Sequence, residues 1–348
     1  MLVRKATAFL STYYLFHTME KVLIGIDIAK DKLDLALLDG STGAWLHQST
    51  VANTSRGHAR LLRLARSYAS VHLVMEATGT YHLRLVQRLH AAGLALSVIN
   101  PLQLKRFAQM KLRRLKTDRS DAQLLAQYGR EQKPPLHEPQ PVVEQQLKQI
   151  NTHIKQLLKQ RTALKNLRHA HARLPEPARV CEAVLCQGIE HLDRGLSRLR
   201  AEQERLVEEA YGEQRKLIES VKGVGPRTSM TVLAYLGTLR RFRSHKQVSA
   251  YIGINPVPRE SGTSLQGRRH ISKQGHAVVR TAFYMCALSA SRHNRVCRAL
   301  YERMKAAGKP EKVALIAVAN KLVKQVFTVV KTGVAFDDNY LNKKHLAA

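Results

Sequence analysis

The first strong pattern in the chain is a compact apolar run, KVLIGIDI at 21–28, followed at once by KLDLALLD at 32–39, where apolar and polar positions alternate. Runs of that length and period predict two antiparallel strands joined by a tight turn at Ala29-Lys30-Asp31. A third strand is expected around 45–52 and a helix near 55–69. VHLVME (71–76) reads as a further apolar strand. Gly79 interrupts the pattern, and HLRLVQRLHAAG then repeats apolar residues at helical spacing up to a closing Gly93. LALSVIN predicts another strand, stopped by Pro101, and helical segments follow near 101–112 and 118–130.

The order β-β-β-α-β-α-β-α is that of a ribonuclease H-like (RuvC-like) α/β fold, assigned to residues 21–133. EQKPPLHEPQP (131–141) is a Pro-rich break and a natural boundary. Beyond it Val143, Leu147, Ile150, Ile154, Leu157 and Leu164 alternate four- and three-residue steps, and a second seam runs through Leu185, Ile189, Leu192, Leu196, Leu199 and Leu206. Such seams predict an antiparallel helical coiled-coil connector over 142–220, turning at LPEPAR (174–179), with a spacer or oligomerisation role. A mainly α-helical third domain is expected over 221–335. It opens on VKGVGPRTS, whose Gly-Val-Gly-Pro turn suits a helix-hairpin-helix contact to phosphate. Helices near 227–237 and 244–251, a hairpin-like stretch at 254–275, and helices near 276–290 and 310–332 complete it, ahead of a tail at 336–348. Residues 1–20 have a basic start and a short apolar stretch, but Ser11, Thr12 and His17 interrupt it and no small-residue cleavage site follows. They read as a disordered or upstream-start extension.

Charge narrows the function. The chain carries 57 Lys+Arg against 26 Asp+Glu, a formal net charge of +31 and a pI near 10.4, which points to a polyanionic partner, nucleic acid above all. No apolar run approaches the ~20 residues of a membrane-spanning helix. The four cysteines have neither zinc-ligand spacing nor the density of a disulfide framework. Reduced thiols and a cytoplasmic, nucleoid-associated protein are expected. Against this basic background the carboxylates stand out. Asp27 and Glu76 end strands that, as parallel neighbours, would bring them within a few ångströms. Asp118 and Asp121, three residues apart at a helix start, share a face. A metal-dependent nuclease needs such a cluster, because two Mg²⁺ ions ~3.5–4 Å apart must be bridged by carboxylates. Asp31, Asp34 and Asp39 read as solvated residues of the hairpin.

Segment 105–119 holds seven Lys or Arg residues directly before the helical pair. Lys105, Arg106, Lys111, Arg113, Arg114 and Lys116 are therefore candidate contacts to a nucleic-acid backbone. Between Glu219 and Glu302 the only acid is Glu260, against 14 Lys or Arg residues. That region cannot build its own metal site, and its charge suits phosphate. Within it Ser261-Gly262 follows PVPR in a turn, with Arg268, Arg269, His270 and Lys273 close behind. A serine attacking phosphorus needs deprotonation and cations around the phosphorane. Ser264 is a rival in the same loop.

GIDIAKDKLDLALLD, MEATGTYH, KTDRSDAQLLAQYG, GVGPRTS, VSAYIGINPVPRESG and ISKQGHAVVRTAFY occur in that order between about 21 and 335. Together they resemble the IS one-ten family of insertion-sequence transposases, also called DEDD transposases and similar to invertases of the Piv type. The resemblance implies that Asp27, Glu76, Asp118 and Asp121 are a metal-binding tetrad for Mg²⁺. It implies that Ser261 is a nucleophile forming a 5′-phosphoserine link to double-stranded DNA, donor and target. Several members are guided by a bridge RNA, so one is expected here. Because the metal ligands and the serine lie on opposite sides of a long arm in the sequence, a homodimer or homotetramer whose active site combines domains from two subunits is expected. The loop reads RESGTS rather than a serine pair before the glycine, which keeps Ser264 open. The alternative is a RuvC-like junction nuclease using the carboxylates and water, without a covalent intermediate. An actin-like sugar kinase would need a Gly-Thr or Gly-Ser pair where Ala29-Lys30 stand. Proofreading-type exonucleases expect Asp-x-Glu on the first strand, and here Ile28-Ala29 follow Asp27. A tyrosine recombinase needs an Arg/His/Tyr set that Tyr251 and Tyr284 lack. A non-catalytic nucleic-acid-binding scaffold is disfavoured by the intact tetrad.

Overall fold

Five strands form one sheet in the order β3-β2-β1-β4-β5, where β1 is Val22–Ile28, β2 Lys32–Leu38, β3 Trp45–Ala52, β4 Val71–Glu76 and β5 Leu96–Ile99. β1, β2 and β3 run antiparallel, whereas β4 joins β1 and β5 joins β4 in parallel. This is the ribonuclease H-like topology expected from the sequence. The computed structural model describes residues 21–77, 79–112, 117–257, 260–261, 265–266 and 270–338, with backbone only at 260–261 and 265–266. The extension at 1–20, the end of the tail, and Arg113, Arg114, Lys116, Ser264, Arg268 and Arg269 lie outside the described residues. The chain divides into two compact units, Met1–Pro139 and Gln140–Ala348.

In the first unit the two faces of β1 do different work, because successive side chains point to opposite sides. Ile24, Ile26 and Ile28 pack with Leu61 and Ala65 of α1 (Ser55–Arg66) and with Leu85 and Leu89 of α2 (Leu83–Ala91). On the other face Leu23 meets Ala126 of α4 (Asp118–Gln132). Gly25 lies on this second face, and a Cβ built there would stand 1.9 Å from the Ala122 carbonyl oxygen and 2.5 Å from the Ala126 nitrogen. The absent side chain lets α4 rest directly on the strand. Asp27 is two residues further along the same face, so the helix seated at Gly25 begins beside it. α3 (Pro101–Met110) closes the layer, with Leu104 and Phe107 against Val74, Ile99, Leu124 and Leu125.

Local chemistry fixes the ends of these elements. Ala29 N–H donates to the Lys32 carbonyl at 3.0 Å, and Asn53 Nδ2 holds the Ala29 carbonyl at 2.9 Å, which locks the β1–β2 turn. Thr117 and Ser120 form a capping box at the start of α4. Asp118 and Asp121 then sit in its first turn, where the helix dipole favours negative charge. Buried His72 meets Ser97 Oγ at 2.8 Å, and that hydroxyl donates to the Pro135 carbonyl at 2.7 Å. The serine proton is thereby committed, so the imidazole must donate from Nε2. Burial pushes the His72 pKa down to about 4, and the neutral ring pins the Pro-rich segment to the sheet.

In the second unit α5 (Val142–His171) and α6 (Arg179–Ser220) pair antiparallel. The contacts Arg168–Glu182 at 2.7 Å, Arg161–Asp193 at 2.6 Å and Asn151–Gln203 at 3.0 Å mark the ladder from tip to base. α6 kinks at Tyr211 (φ −144°, ψ 23°). Leu147, Val207 and Ile218 from the base of the hairpin enter one core with α7 (Pro226–Leu236), α8 (His245–Ile252), α9 (Ala277–His293) and α11 (Glu311–Thr332). α11 is long and apolar enough to cross a bilayer, but half of it is buried in this core. The sequence pattern missed α10 (Arg295–Ala306). One residue separates it from α9: Asn294 ends α9 and caps α10, its Oδ1 accepting from Cys297 N–H at 3.2 Å. Between α8 and α9, β6 (Pro256–Val257) pairs with β9 (His270–Ile271), and β7 (Glu260–Ser261) with β8 (Leu265–Gln266).

Gly25→Ala should cost the first unit about 2 kcal/mol or more, since backbone rather than a flexible side chain must move. Urea unfolding followed on that unit measures it, and an unchanged midpoint would show that α4 does not depend on this close approach.

Candidate metal centre and nucleic-acid interface

Strand register brings the acids together. Asp27 pairs directly with Asp34 across β1 and β2, so both carboxylates project to one face. The parallel register of β1 with β4 reaches Ile26 opposite Met75, and one step further it sets Glu76 beside Asp27. The first turn of α4 adds Asp118 and Asp121. A carboxylate oxygen from each of Asp27, Asp34 and Asp118 lies within 4.8 Å of the other two. Burial raises the Asp27 pKa, and repulsion from Asp121, Asp118, Asp34 and Glu76 raises it further, to about 6. All four acids singled out in the sequence therefore belong to one electrostatic cluster.

Asp34 is the correction. It is not a solvated hairpin residue: it is only 4% exposed and accepts a 2.5 Å bond from Thr50 Oγ1 of β3. The signal was present in the sequence, because a turn at Ala29-Lys30-Asp31 dictates the register that faces Asp34 with Asp27. Asp31 is exposed, and Asp39 serves its own turn by accepting from the Ser41 and Thr42 amides at 2.8 and 2.9 Å. Lys32 was also missed. Its ammonium bridges Asp34 at 3.1 Å and Asp118 at 2.7 Å. It holds the Asp118 carboxyl below its usual range through that hydrogen bond. Lys32 and Asp118 are both well exposed, so the bridge itself contributes little stability.

The donor set fits a hard divalent cation. All of its atoms are carboxylate oxygens, the chemistry that Mg²⁺ and Ca²⁺ prefer. Burial first, and the neighbouring acids second, raise the Asp27 pKa, a shift that a bound cation would oppose.

The basic candidates do not share one fate. Lys105 and Arg106 are exposed on α3. Lys111 instead pairs with Glu131 of α4 at 2.7 Å and lies 5.5 Å from the Phe107 ring centroid, so it braces α3 against α4. Lys273 is exposed with a left-handed backbone at φ 54°. Ser261 stands in β7 with its backbone opposite Leu265. Gly223 (φ 99°) packs against Ala290, and Gly225 is the N-cap of α7, which places the Gly-Val-Gly-Pro turn between two helices.

Two outcomes test the cluster. The folded pKa of Asp27 lies above its ordinary value of 3.8, so metal-free stability should fall as pH rises through about 6. Asp27→Asn should raise metal-free stability at pH 8 by about 1 kcal/mol after discounting solvent screening, with no gain at pH 4; pH-dependent denaturation midpoints read this. Asp34→Asn keeps an acceptor for Thr50 yet should weaken Mn²⁺ binding about tenfold by calorimetry. Unchanged Mn²⁺ affinity would remove Asp34 from the ligand set.

Residues 24–174 match a sequence profile described as Transposase, for the DEDD domain of IS110 elements, and residues 215–302 match that of the Transposase IS116/IS110/IS902 family. The pilin gene-inverting protein of Moraxella bovis is 28% identical over 330 residues, 92% of this chain and 98% of its own. The transposase for insertion sequence element IS1111A of Coxiella burnetii is 25% identical over 298 residues, 78% of each chain. Among solved structures, Thermus thermophilus RuvC in complex with a Holliday junction substrate aligns with 34% of this chain at 16% identity and a TM-score of 0.28. With both profiles matched in order along the chain, the protein belongs to the IS110 (IS one-ten) family of insertion-sequence transposases.

Proposed function

We propose that the protein cleaves and rejoins double-stranded DNA through a covalent 5′-phosphoserine intermediate, with Asp27, Glu76, Asp118 and Asp121 holding Mg²⁺ and Asp34 as a fifth ligand. The observation that carries this reading is the convergence of five carboxylates on the end of β1 in a chain of net charge +31, where burial and the other acids together raise the Asp27 pKa to about 6. Bound divalent ions would supply charge neutralisation at the scissile phosphate and at the attacking and leaving oxygens. Ser261 Oγ forms a bond to phosphorus while the bond from phosphorus to the 3′ oxygen breaks. The serine hydroxyl gives up its proton, and the departing oxygen takes one and leaves as a 3′-hydroxyl. Because the phosphoserine ester conserves the bond energy, a 3′-hydroxyl from another strand can attack it and restore Ser261 without ATP.

Lys105, Arg106 and Lys273 contact the DNA backbone in this reading, together with Arg113, Arg114, Lys116, Arg268 and Arg269. Lys111 is dropped from the set, since Glu131 already engages it. A bridge RNA supplies target choice, and a homodimer or homotetramer acting in the cytoplasm at the nucleoid assembles the complete site. The resemblance in the sequence supports the bridge RNA, and the long helical arm between the carboxylates and the serine supports the oligomer.

Ser261→Ala should abolish the denaturation-resistant protein–DNA adduct and strand exchange while leaving Mn²⁺ affinity unchanged. Cleavage that survives without an adduct would establish water as the nucleophile, and an adduct that survives would move the role to Ser264. DNA affinity should fall by about tenfold or more between 50 and 200 mM salt; a flat binding constant would contradict the backbone contacts.

A further inference from the structure

The segment that carries Ser261 leaves the helical core after α8 and returns before α9, and its two ends are held together by an unusually complete set of bonds. β6 pairs with β9 through Pro256 opposite Ile271 and Val257 opposite His270. Below that pair, Ser272 N–H donates to the Asn255 carbonyl at 3.1 Å, Lys273 N–H to the Gly253 carbonyl at 3.2 Å, and His276 N–H to the Tyr251 carbonyl at 3.1 Å. Ser272 Oγ adds a 3.1 Å bond to Asn255 Oδ1. Three residues of this base have left-handed backbones: Gly253 (φ 71°), Lys273 (φ 54°) and Gly275 (φ 143°). For a lysine that conformation costs of order 1 kcal/mol and persists only where its surroundings enforce it.

Arg280, one turn into α9, ties the two sides. Its Nη1 donates at 2.8 Å to the carbonyl of Ile252, the last residue of α8, and reaches the Lys273 carbonyl at 3.4 Å. The Ile252 carbonyl belongs to a helix C-terminus, where a cation meets both an unfilled acceptor and the negative end of the dipole. The glycines make room for this bond. A Cβ on Gly253 would stand 2.7 Å from the Gln274 carbonyl oxygen and 3.0 Å from Arg280 Nη1, and one on Gly275 would stand 2.2 Å from the Tyr251 carbonyl oxygen. Entry strand, exit strand and guanidinium thus close around backbone that admits no side chain.

We propose that Arg280 is a positioning residue for the DNA-cleaving serine: it clasps the entry and exit of residues 258–269 and so fixes where the hydroxyl is presented to phosphorus. The proposal rests on the reading of Ser261 as nucleophile. A short hairpin on an open base would spend its approach to the phosphate in many orientations, whereas a clasped base has met that entropy cost on folding. Misplacement of a reacting atom by about 1 Å can cost on the order of a hundredfold in rate. One guanidinium nitrogen, Nη1, meets both carbonyls through its planar pair of N–H donors, and a lysine ammonium offers a point charge with a different reach.

Single-turnover cleavage at saturating DNA, DNA affinity and amide hydrogen exchange test this on the full-length protein. Arg280→Met should slow adduct formation by about tenfold to a hundredfold with DNA affinity changed by less than about threefold. The Ser272, Lys273 and His276 amides should exchange at least about tenfold faster. Arg280→Lys should fall between, and Ser272→Ala should show a smaller effect in the same direction, which keeps the proposal testable if Arg280→Met does not fold. Full-rate cleavage by a folded Arg280→Met protein overturns the assignment. So does weakened DNA binding with an unchanged rate at saturation, which would make Arg280 a phosphate contact. If Ser261→Ala retains the adduct, the nucleophile reading fails, yet the exchange of the three amides still decides whether Arg280 closes the base.

Discussion

Mutual repulsion among carboxylates at the end of β1 is the constraint on which the rest of the first unit turns. Each acid is delivered by an element with its own reasons to be there: Asp34 by hairpin register, Glu76 by parallel pairing, Asp118 and Asp121 by a capped helix start. None of those elements can withdraw its charge without giving up hydrogen bonds or buried apolar surface. The cost falls on Asp27, whose pKa is raised first by burial and then by the other four acids. Such crowding in a basic chain leaves a set of carboxylate oxygens compatible with a small divalent cation.

Gly25 connects packing to that chemistry. A helix lying over a strand at ordinary distance would start well above the sheet, with its first-turn acids out of reach of Asp27. Removing one Cβ lets the α4 backbone touch β1, and the face-to-face alternation of the strand does the rest. Lys32 completes the arrangement from the hairpin side. Its bridge between Asp34 and Asp118 keeps two carboxylates oriented in a pocket of like charge, at little gain in stability.

Much of this was legible from residues alone. The apolar run before Asp27, the alternation after it and the glycine-closed helix that follows gave the order of elements along the chain, since each signal was local. The four acids could be named from their places at element ends. Asp34 was misjudged because a charged residue in an alternating strand normally faces solvent; here the alternation points it at the helix-covered face, which only cross-strand register reveals. α10 escaped because Asn294 is at once terminator and cap, so the usual multi-residue break between helices is missing. The ion pair of Lys111 with Glu131 joins two helices whose relative rotation no sequence period encodes. The clasp around Arg280 was equally invisible, since it depends on backbone carbonyls, and its glycines carry no pattern of their own.

In the proposed function the second unit meets a different requirement, the delivery of a neutral hydroxyl to phosphate by a basic scaffold with a single acid over some eighty residues. Division of labour between a carboxylate cluster and a clasped serine hairpin has one prerequisite, that the cluster binds divalent ions at all. Anomalous diffraction from crystals grown with Mn²⁺ tests it most directly. The account requires manganese density coordinated by Asp27 together with Asp34 and Asp118, with the Lys32 ammonium displaced. Crystals saturated with Mn²⁺ whose only anomalous peaks lie away from Asp27 would contradict it.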